Sequence, residues 1–467
     1  KISEYRLKFI AKETKKDPSE IFFLDHHLCH IYYGYYSSSF RGEKVVAISL
    51  DGGGVGVYDS IGVFDENSNH KRIYAAHEAI LGPIYSMITL ILRMKPNEHE
   101  FKVMGLAPYA KKYSKERTIE YLRKILTVDG IKFIRNKKLK DFYFAVKEKL
   151  KFERFDGIAG GVQDWLEEKV SEWVINVLEQ TKSKKLVFSG GVALNVKANQ
   201  VISNLNAVQE MFIPPGSGDE SLSIGACWAL LDKLNISVSE KQFIKPLENA
   251  YLGSNIKEDE IEKFVNHPII KTKYVLVDGN TNEIAANALA NNELVAVCRG
   301  RMEFGPRSLG NRSLIANPSS KDTVEKINSS IKGRDFWMPF APSILADEIE
   351  SCSLNHSKVD LSYMTCTVNS KKAIRNNFIA TIHSYDNTMR VHSVDFDKSP
   401  HYYNLIKAFF LKTGIPGVLN TSLNIHGKPI VMNPIDIINE LLLVSGVSID
   451  NIIIENLFFK KKTMVDE

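Results

Sequence analysis

The feature that most narrows the fold is the short apolar run at residues 185–188, which passes directly into Ser189-Gly190-Gly191 and then into a helical pattern. Strand, glycine turn and helix in that order mark an α/β unit, because the turn delivers free backbone amides to a helix start where an anion can sit. A second strand-like run, 45–50, ends in Asp51-Gly52-Gly53-Gly54. There an acid at a strand end meets glycines that let a phosphate approach the backbone. Asp-Gly is also the commonest hairpin signal, so that segment leaves both readings open. Residues 21–24 read as a further short buried strand, and a helix is expected over 4–13. Val162, Leu166, Val170, Trp173, Val174 and Val177 recur at helical spacing within 156–180. The lysine-rich stretch 113–154 reads as solvated helices rather than a basic binding surface. Polar residues and Pro246 make 235–248 a linker, and strands such as 293–298 then open a second α/β unit. Two domains are expected, 1–245 and 250–467.

Length and composition agree with that division. At 467 residues the chain suits two or three domains. With 60 Lys+Arg against 55 Asp+Glu, the net charge of +5 gives no global footprint for nucleic acid or a membrane surface. Five cysteines without a CxxC pair argue against a disulfide framework or a zinc ribbon, so a reducing cytoplasm is the expected compartment. The most apolar stretch, 79–92, is interrupted by Gly82-Pro83 and is too short to cross a bilayer. The chain starts Lys-Ile-Ser-Glu-Tyr, without Met, and further strands before Lys1 are expected.

Several segments carry chemistry. In Asp25-His26-His27-Leu28-Cys29-His30, the i,i+4 spacing puts His26 and His30 on one helix face. That spacing suits metal ligation and equally a pair of capping or core histidines. Asp219, in Gly218-Asp219-Glu220, is either an N-cap or the oxygen ligand completing a two-histidine site. The block 300–313 interleaves Arg301, Arg307 and Arg312 with Gly, Ser and Asn311, which fits multidentate recognition of phosphate or carboxylate. Lys332 and Arg334 follow. Asn420-Thr421-Ser422-Leu423-Asn424 offers a hydrogen-bonding wall for a small polar group, or a turn.

Taken together, DHHLCH, EFKVMGLAPYA, SGGVALN, PPGSGDESLSIGA, GRMEFGPRSLGNRSL, KGRDFWMPFAP and LNTSLNIHGKPIV closely resemble the O-carbamoyltransferases of nodulation-factor, cephamycin and tobramycin type, over residues 25–431. The resemblance implies an N-terminal part like the ASKHA-fold metalloproteins of tRNA threonylcarbamoylation, and a YrdC-like C-terminal part. It implies that the second part joins carbamoyl phosphate to ATP, giving carbamoyl-adenylate and pyrophosphate. The first part then passes the carbamoyl group to an acceptor hydroxyl beside a mononuclear divalent metal, usually iron. His26, His30, Asp51 and Asp219 match the metal positions. Lys102, Gly190, Gly191, Val192 and Asn195 match the nucleotide cradle. Arg301, Arg307, Asn311, Arg312, Lys332, Arg334, Asn420 and Ser422 match the pocket for carbamoyl phosphate and ATP. The expected partner is a small-molecule hydroxyl acceptor, with no membrane or nucleic acid, in a chain that forms a homodimer. Departures from the pattern are Val55 for the acid of DGxGE, Met338 for an Arg and Lys428 for a Glu. The loop bearing an acceptor-activating histidine has no counterpart. Two other readings compete: a relative that threonylcarbamoylates tRNA adenosine, and a nucleotide-binding relative deficient in transfer.

Overall fold

The computed structural model describes residues 2–138, 141–234, 236, 245–444 and 446–462. The chain is mixed α/β, built on two large sheets. In the N-terminal half, β1 (Val45–Gly54), β2 (Val57–Phe64) and β3 (His70–Ala76) run antiparallel. A separate hairpin, β4 (Leu126–Asp129) and β5 (Lys132–Arg135), precedes β6 (Lys185–Ser189) and β7 (Glu210–Phe212). The first sheet has the order β3-β2-β1-β6-β7, with β1, β6 and β7 parallel.

The period-two alternation of β1 divides its side chains between two cores. Val46, Ile48 and Leu50 join Trp165, Val170 and Trp173 of helix α7 (Phe155–Thr181), whereas Val45 and Ala47 meet Ile31, Tyr32 and Tyr35 of helix α2 (His26–Ser37). A strand covered on both faces reads as a continuous apolar run, which is why its sequence signal is strong. In the C-terminal half, β8 (Tyr274–Val277), β9 (Val295–Cys298), β10 (Arg312–Ala316) and β11 (Ala341–Leu345) are followed by a small sheet of β12 (Ser353–Leu354), β13 (Val368–Ser370) and β14 (Thr388–Met389). With β15 (His392–Val394), β16 (Gly417–Ser422), β17 (Asn451–Ile454) and β18 (Leu457–Lys461), the large sheet has the order β15-β11-β16-β10-β9-β17-β18-β8.

Two sequence expectations need correction. Residues 21–24 form no strand: they have no ladder partner among the described residues, and Phe22 and Phe23 are exposed. A four-residue apolar run carries no information on whether an edge is available to pair with it. Residues 113–154 are not helices alone. Helix α5 (Lys112–Arg123) and a helix over Phe142–Lys149 flank the β4–β5 hairpin, which turns at Asp129-Gly130 and is tied to α7 by Trp173 Nε1 donating to Ile131 O (2.9 Å). The helix expected over 4–13 is present as Ile2–Thr14. The linker read at 235–248 falls largely outside the described residues. Among the described residues, no helix is long and apolar enough to cross a membrane.

One buried acid sits beside the end of β1. Asp59 of β2 pairs with Leu50 in the ladder and is fully enclosed. Burial, countered only in part by the Ala79 amide and reinforced by Glu78, pushes its carboxyl up to about 7. The folded chain therefore keeps a proton that the unfolded chain loses near pH 4, so stability falls as pH rises from about 4 to 7. Asp59→Asn should raise the melting temperature at pH 8, by an amount corresponding to on the order of 3–4 kcal/mol at most, and the gain should vanish by pH 4. Thermal melts of both proteins across that range measure it.

Candidate functional site

Helix α2 starts at His26 because Asp25 caps it, its carboxylate accepting from Leu28 N–H (2.9 Å) while Arg72 holds the other oxygen at 3.0 Å. One turn apart, His26 and His30 turn their Nε2 atoms toward each other, 3.2 Å apart. Asp51, at the end of β1, places Oδ2 2.8 Å from His30 Nε2 and 3.5 Å from His26 Nε2. Asp219 brings Oδ1 within 3.4 and 3.5 Å of the same nitrogens. All four ligand atoms lie within 4.8 Å of one another. The closeness of His26 needs Gly54, where a Cβ would lie 2.2 Å from the His26 ring. His27, between them in sequence, points elsewhere: Nδ1 meets Ser49 Oγ at 3.0 Å and Nε2 meets Val57 O at 2.9 Å, so it is a satisfied core residue.

Within the cluster, Asp51 and His26 stabilise each other's charged forms. Burial works to raise the Asp51 carboxyl, but hydrogen bonds from His26 and His30 outweigh it and hold the group well below the usual carboxylate range. His26 is raised, chiefly by its hydrogen bond to Asp51 and against its own burial. Two imidazole nitrogens and two carboxylate oxygens, gathered at one point, fit a single divalent ion with N/O ligands.

The glycine turn adjoins this cluster. Gly190 has φ 87° and passes so near β1 that a Cβ would lie 2.3 Å from Leu50 O. Gly191 N–H donates to Asp51 Oδ2 at 3.3 Å. Asn195 caps the helix Val196–Ser203 and pairs reciprocally with Gln163 through two 3.0 Å hydrogen bonds. A cavity of about 620 Å³ opens over the turn, its wall including Asp51, Asp219, Gly191, Val192 and Asn195 together with Arg307 from the C-terminal half. Lys102 does not line that cavity. It pairs with Asp335 at 3.1 Å, where Trp337 Nε1 also donates to Lys102 O.

The arginine-rich block divides by role. The buried Glu303 carboxylate accepts from the amides of Leu309, Asn311 and Arg312 at 2.7–3.0 Å and so folds the loop around itself. Arg312 is fully buried, its guanidinium donating to the carbonyls of Met432, Arg299, Asn311 and Gly300. Arg301 is exposed and donates to Leu252 O and Gly253 O, and Asn311 Nδ2 donates to Arg301 O. These three side chains build the loop, and Arg307 alone among the block's arginines faces the large cavity.

Lys332 is buried, donating to Ser422 Oγ (3.2 Å) and to Asn424 O and Oδ1 (both 2.7 Å). Burial and the charge of Arg334 push its ammonium well below the ordinary lysine range. Arg334 donates to Thr421 Oγ1 (3.0 Å), lies 4.6 Å over the Phe340 ring, and is itself lowered to about 10 by burial and by Arg307. Arg390 completes the group: burial, then Arg307 and Arg334, lower it, and its Nε is buried without a hydrogen-bond partner among the described residues. Asn420 exchanges hydrogen bonds with Ser308 and donates to Ser343, so it supports the wall rather than presenting a free amide. Sequence reasoning missed Glu303 as the loop's organiser and Arg390 as part of the cation group. The signals were a lone acid among arginines and an arginine just ahead of His392.

Comparison with known proteins gives one consistent result. A family profile described as carbamoyltransferase N-terminus matches residues 1–228, and one described as carbamoyltransferase C-terminus matches 286–461. An uncharacterized protein of Methanocaldococcus jannaschii, MJ1058, is 33% identical over 97% of this chain and 76% of its own length. Nodulation protein NolNO of Sinorhizobium fredii is 28% identical over 97% of this chain and 66% of its own length, and nodulation protein NolO of Bradyrhizobium diazoefficiens is 26% identical over 90% and 76%.

The four-residue cluster yields a direct expectation. After exhaustive dialysis the purified protein should retain about one divalent ion, and His30→Ala or Asp51→Asn should weaken its retention by at least about 10–100-fold. Arg301→Ala, which touches only loop carbonyls, serves as the control that should leave it unchanged. Elemental analysis of the three variants is the measurement.

Proposed function

This chain belongs to the carbamoyltransferase family, and from that premise we propose that it is an ATP- and metal-dependent O-carbamoyltransferase acting on a small-molecule hydroxyl. The observation that carries the reading is the cation group. Lys332, Arg334 and Arg390 are buried or half-buried and, with Arg307, act on one another with like charge; Arg307 feels the charge of Glu220, and none of the four has an ion-pair contact with a carboxylate among the described residues. Gathering such charges away from water is costly unless an anion joins them. Carbamoyl phosphate and the phosphates of ATP are anions of that kind.

The reaction then has two stages. In the C-terminal half, read as YrdC-like, carbamoyl phosphate gives up inorganic phosphate with uptake of water, and the resulting carbamate oxygen attacks the α-phosphorus of ATP, releasing pyrophosphate. Carbamoyl-adenylate results. Arg307, Arg334 and Arg390 neutralise charge that builds on the phosphoryl oxygens, and Lys332, kept near Ser422 and Asn424, adds a donor. In the N-terminal half, read as ASKHA-like, the acceptor oxygen attacks the carbamoyl carbon and AMP leaves. The sheet order β3-β2-β1-β6-β7, antiparallel then parallel, supports that reading of the half. A metal held by His26, His30, Asp51 and Asp219 would supply a Lewis acid beside the departing phosphate. The glycine turn at Gly191 and Val192 borders the cavity in which that phosphate would lie, and Arg307 faces the same cavity.

Labelled carbamoyl phosphate with ATP should yield pyrophosphate and a carbamoyl-AMP species by mass. Arg334→Ala or Arg390→Ala should slow that release by about 10²–10³-fold, as for loss of a donor that acts mainly in the transition state. Wild-type rates in both variants would remove these residues from the reaction. Absence of carbamoyl-phosphate-dependent pyrophosphate from the native protein would remove the reaction itself.

A further inference from the structure

The large cavity has two chemically different ends. One carries the glycine turn, the His/Asp cluster and Arg307, all suited to a phosphate or the ion beside it. The other is walled by Ser86, Asn97, Glu98 and Glu100, with Tyr85, Phe101, Met104 and Leu166 as an apolar flank. Among the residues lining that end there is no cation, and the nearby Lys95 is paired with Glu98. A phosphate is repelled there. A group that donates hydrogen bonds is drawn in.

Glu100 is prepared for such a group. It opens the helix Glu100–Leu106, and its Oε1 accepts from Ser86 Oγ and from Asn97 N–H, both at 2.7 Å. These contacts fix the carboxylate's plane. Oε2 has no partner among the described residues. The distance scale also fits. Helix Leu81–Ile91 touches β1 at Gly82, where a Cβ would lie 3.2 Å from Asp51 O, and Ser86 stands four residues further on, about 6 Å along the axis. That is comparable to the span from a phosphate to the ring of the sugar it esterifies.

We infer that Glu100 reads a vicinal diol in this cavity, its carboxylate accepting hydrogen bonds from two adjacent hydroxyls while the apolar flank takes the ring system attached to them. The inference rests on the proposed carbamoyl transfer for what occupies the phosphate end. A vicinal diol has two sources there, the ribose of the adenylate and a sugar-like acceptor. A purely structural role as a helix-start carboxylate would use Oε1 alone.

Glu100→Gln separates these roles, because its amide oxygen still accepts from Ser86 and Asn97 while its NH₂ cannot accept from a diol. Binding is measured by calorimetry on the metal-loaded protein with ADP and with 2′,3′-dideoxy-ADP. The native protein should prefer ADP by about 10-fold or more, and Glu100→Gln should bring the two within about 2-fold at an unchanged melting temperature. If the native protein binds the two nucleotides alike, the second arm applies methyl β-D-ribofuranoside and methyl α-D-mannopyranoside to the ADP-bound protein. Diol binding lost in Glu100→Gln then assigns the contact to the acceptor. Discrimination or diol binding that survives the substitution in whichever arm shows it, or that is absent from the native protein in both, overturns the inference. Failure to bind ADP at all defeats the nucleotide reading instead, and the sugar arm then decides the inference alone.

Discussion

Asp51 is where the parts of the N-terminal half meet. Its main chain lies in the closing residues of β1, its Oδ2 reaches both His30 and His26 of α2, and the same oxygen accepts from Gly191 just past β6. Three elements distant in sequence are thereby tied to one carboxylate. Such a contact is unfavourable by default, since burial raises a carboxyl and leaves it protonated. The hydrogen bonds from two imidazoles reverse that outcome and hold it ionised. The geometry is affordable only because β1 and β6 are parallel neighbours whose C-terminal ends emerge side by side, with Gly190 letting the β6 turn lie against Leu50. Ligand sites at the carboxyl ends of parallel strands follow from that arrangement in general.

The C-terminal half poses the opposite electrostatic problem. Its site gathers positive charge with no carboxylate ion pair among the described residues, and the fold anchors two of the cations to neutral oxygen or a ring: Lys332 to Ser422 and Asn424, Arg334 to Thr421 and over Phe340. Arg307 is delivered differently. Glu303 and the Arg312 guanidinium knot the surrounding loop into a rigid form, from which Arg307 faces the cavity of the other half. Contacts such as His383 Nε2 to Gly105 O at 2.9 Å and Trp337 Nε1 to Lys102 O at 3.2 Å join the halves close to these residues. One loop thus couples a site poor in acids to a site built of them.

Much of this was legible in the sequence where one physical constraint acts alone. The α7 periodicity, the doubly buried β1 and the i,i+4 histidines each reflect a single local geometry, and each element forms. Residues 21–24 misled because an apolar run of four says nothing about partners, and the stretch 113–154 because lysine content concealed the Asp129-Gly130 hairpin signal. The arginine block illustrates a deeper limit. Arg301, Arg307 and Arg312 lie within twelve residues and have one chemistry, yet two of them spend their donors on backbone carbonyls. Which guanidinium is free depends on where Glu303 pins the loop, and that is a three-dimensional fact. Asp219 stood in sequence reasoning as either an N-cap or the oxygen ligand of the histidine pair, and only the family resemblance chose between them, because nothing local marks a carboxylate nearly two hundred residues away as their neighbour.

The departure at Val55 takes its meaning from the same geometry. Gly54 pairs with Val57 across a two-residue turn, so Val55 and Gly56 both take positive φ, 53° and 78°. This is the conformation whose twist matches the flanking strands and which Asn-Gly normally supplies. A β-branched residue there is strained by on the order of 1–3 kcal/mol. The turn holds because the register beneath it is set elsewhere: Gly54 must lie on the His26 ring, and Asp51 must reach His30. Val55 is 84% exposed and takes no part in the four-residue cluster. Val55, where the family resemblance implies an acid, therefore leaves all four candidate ligands in place and lies at the tip of the hairpin beside them, so the chemistry of the cluster and the character of its approach are set by different residues of one turn.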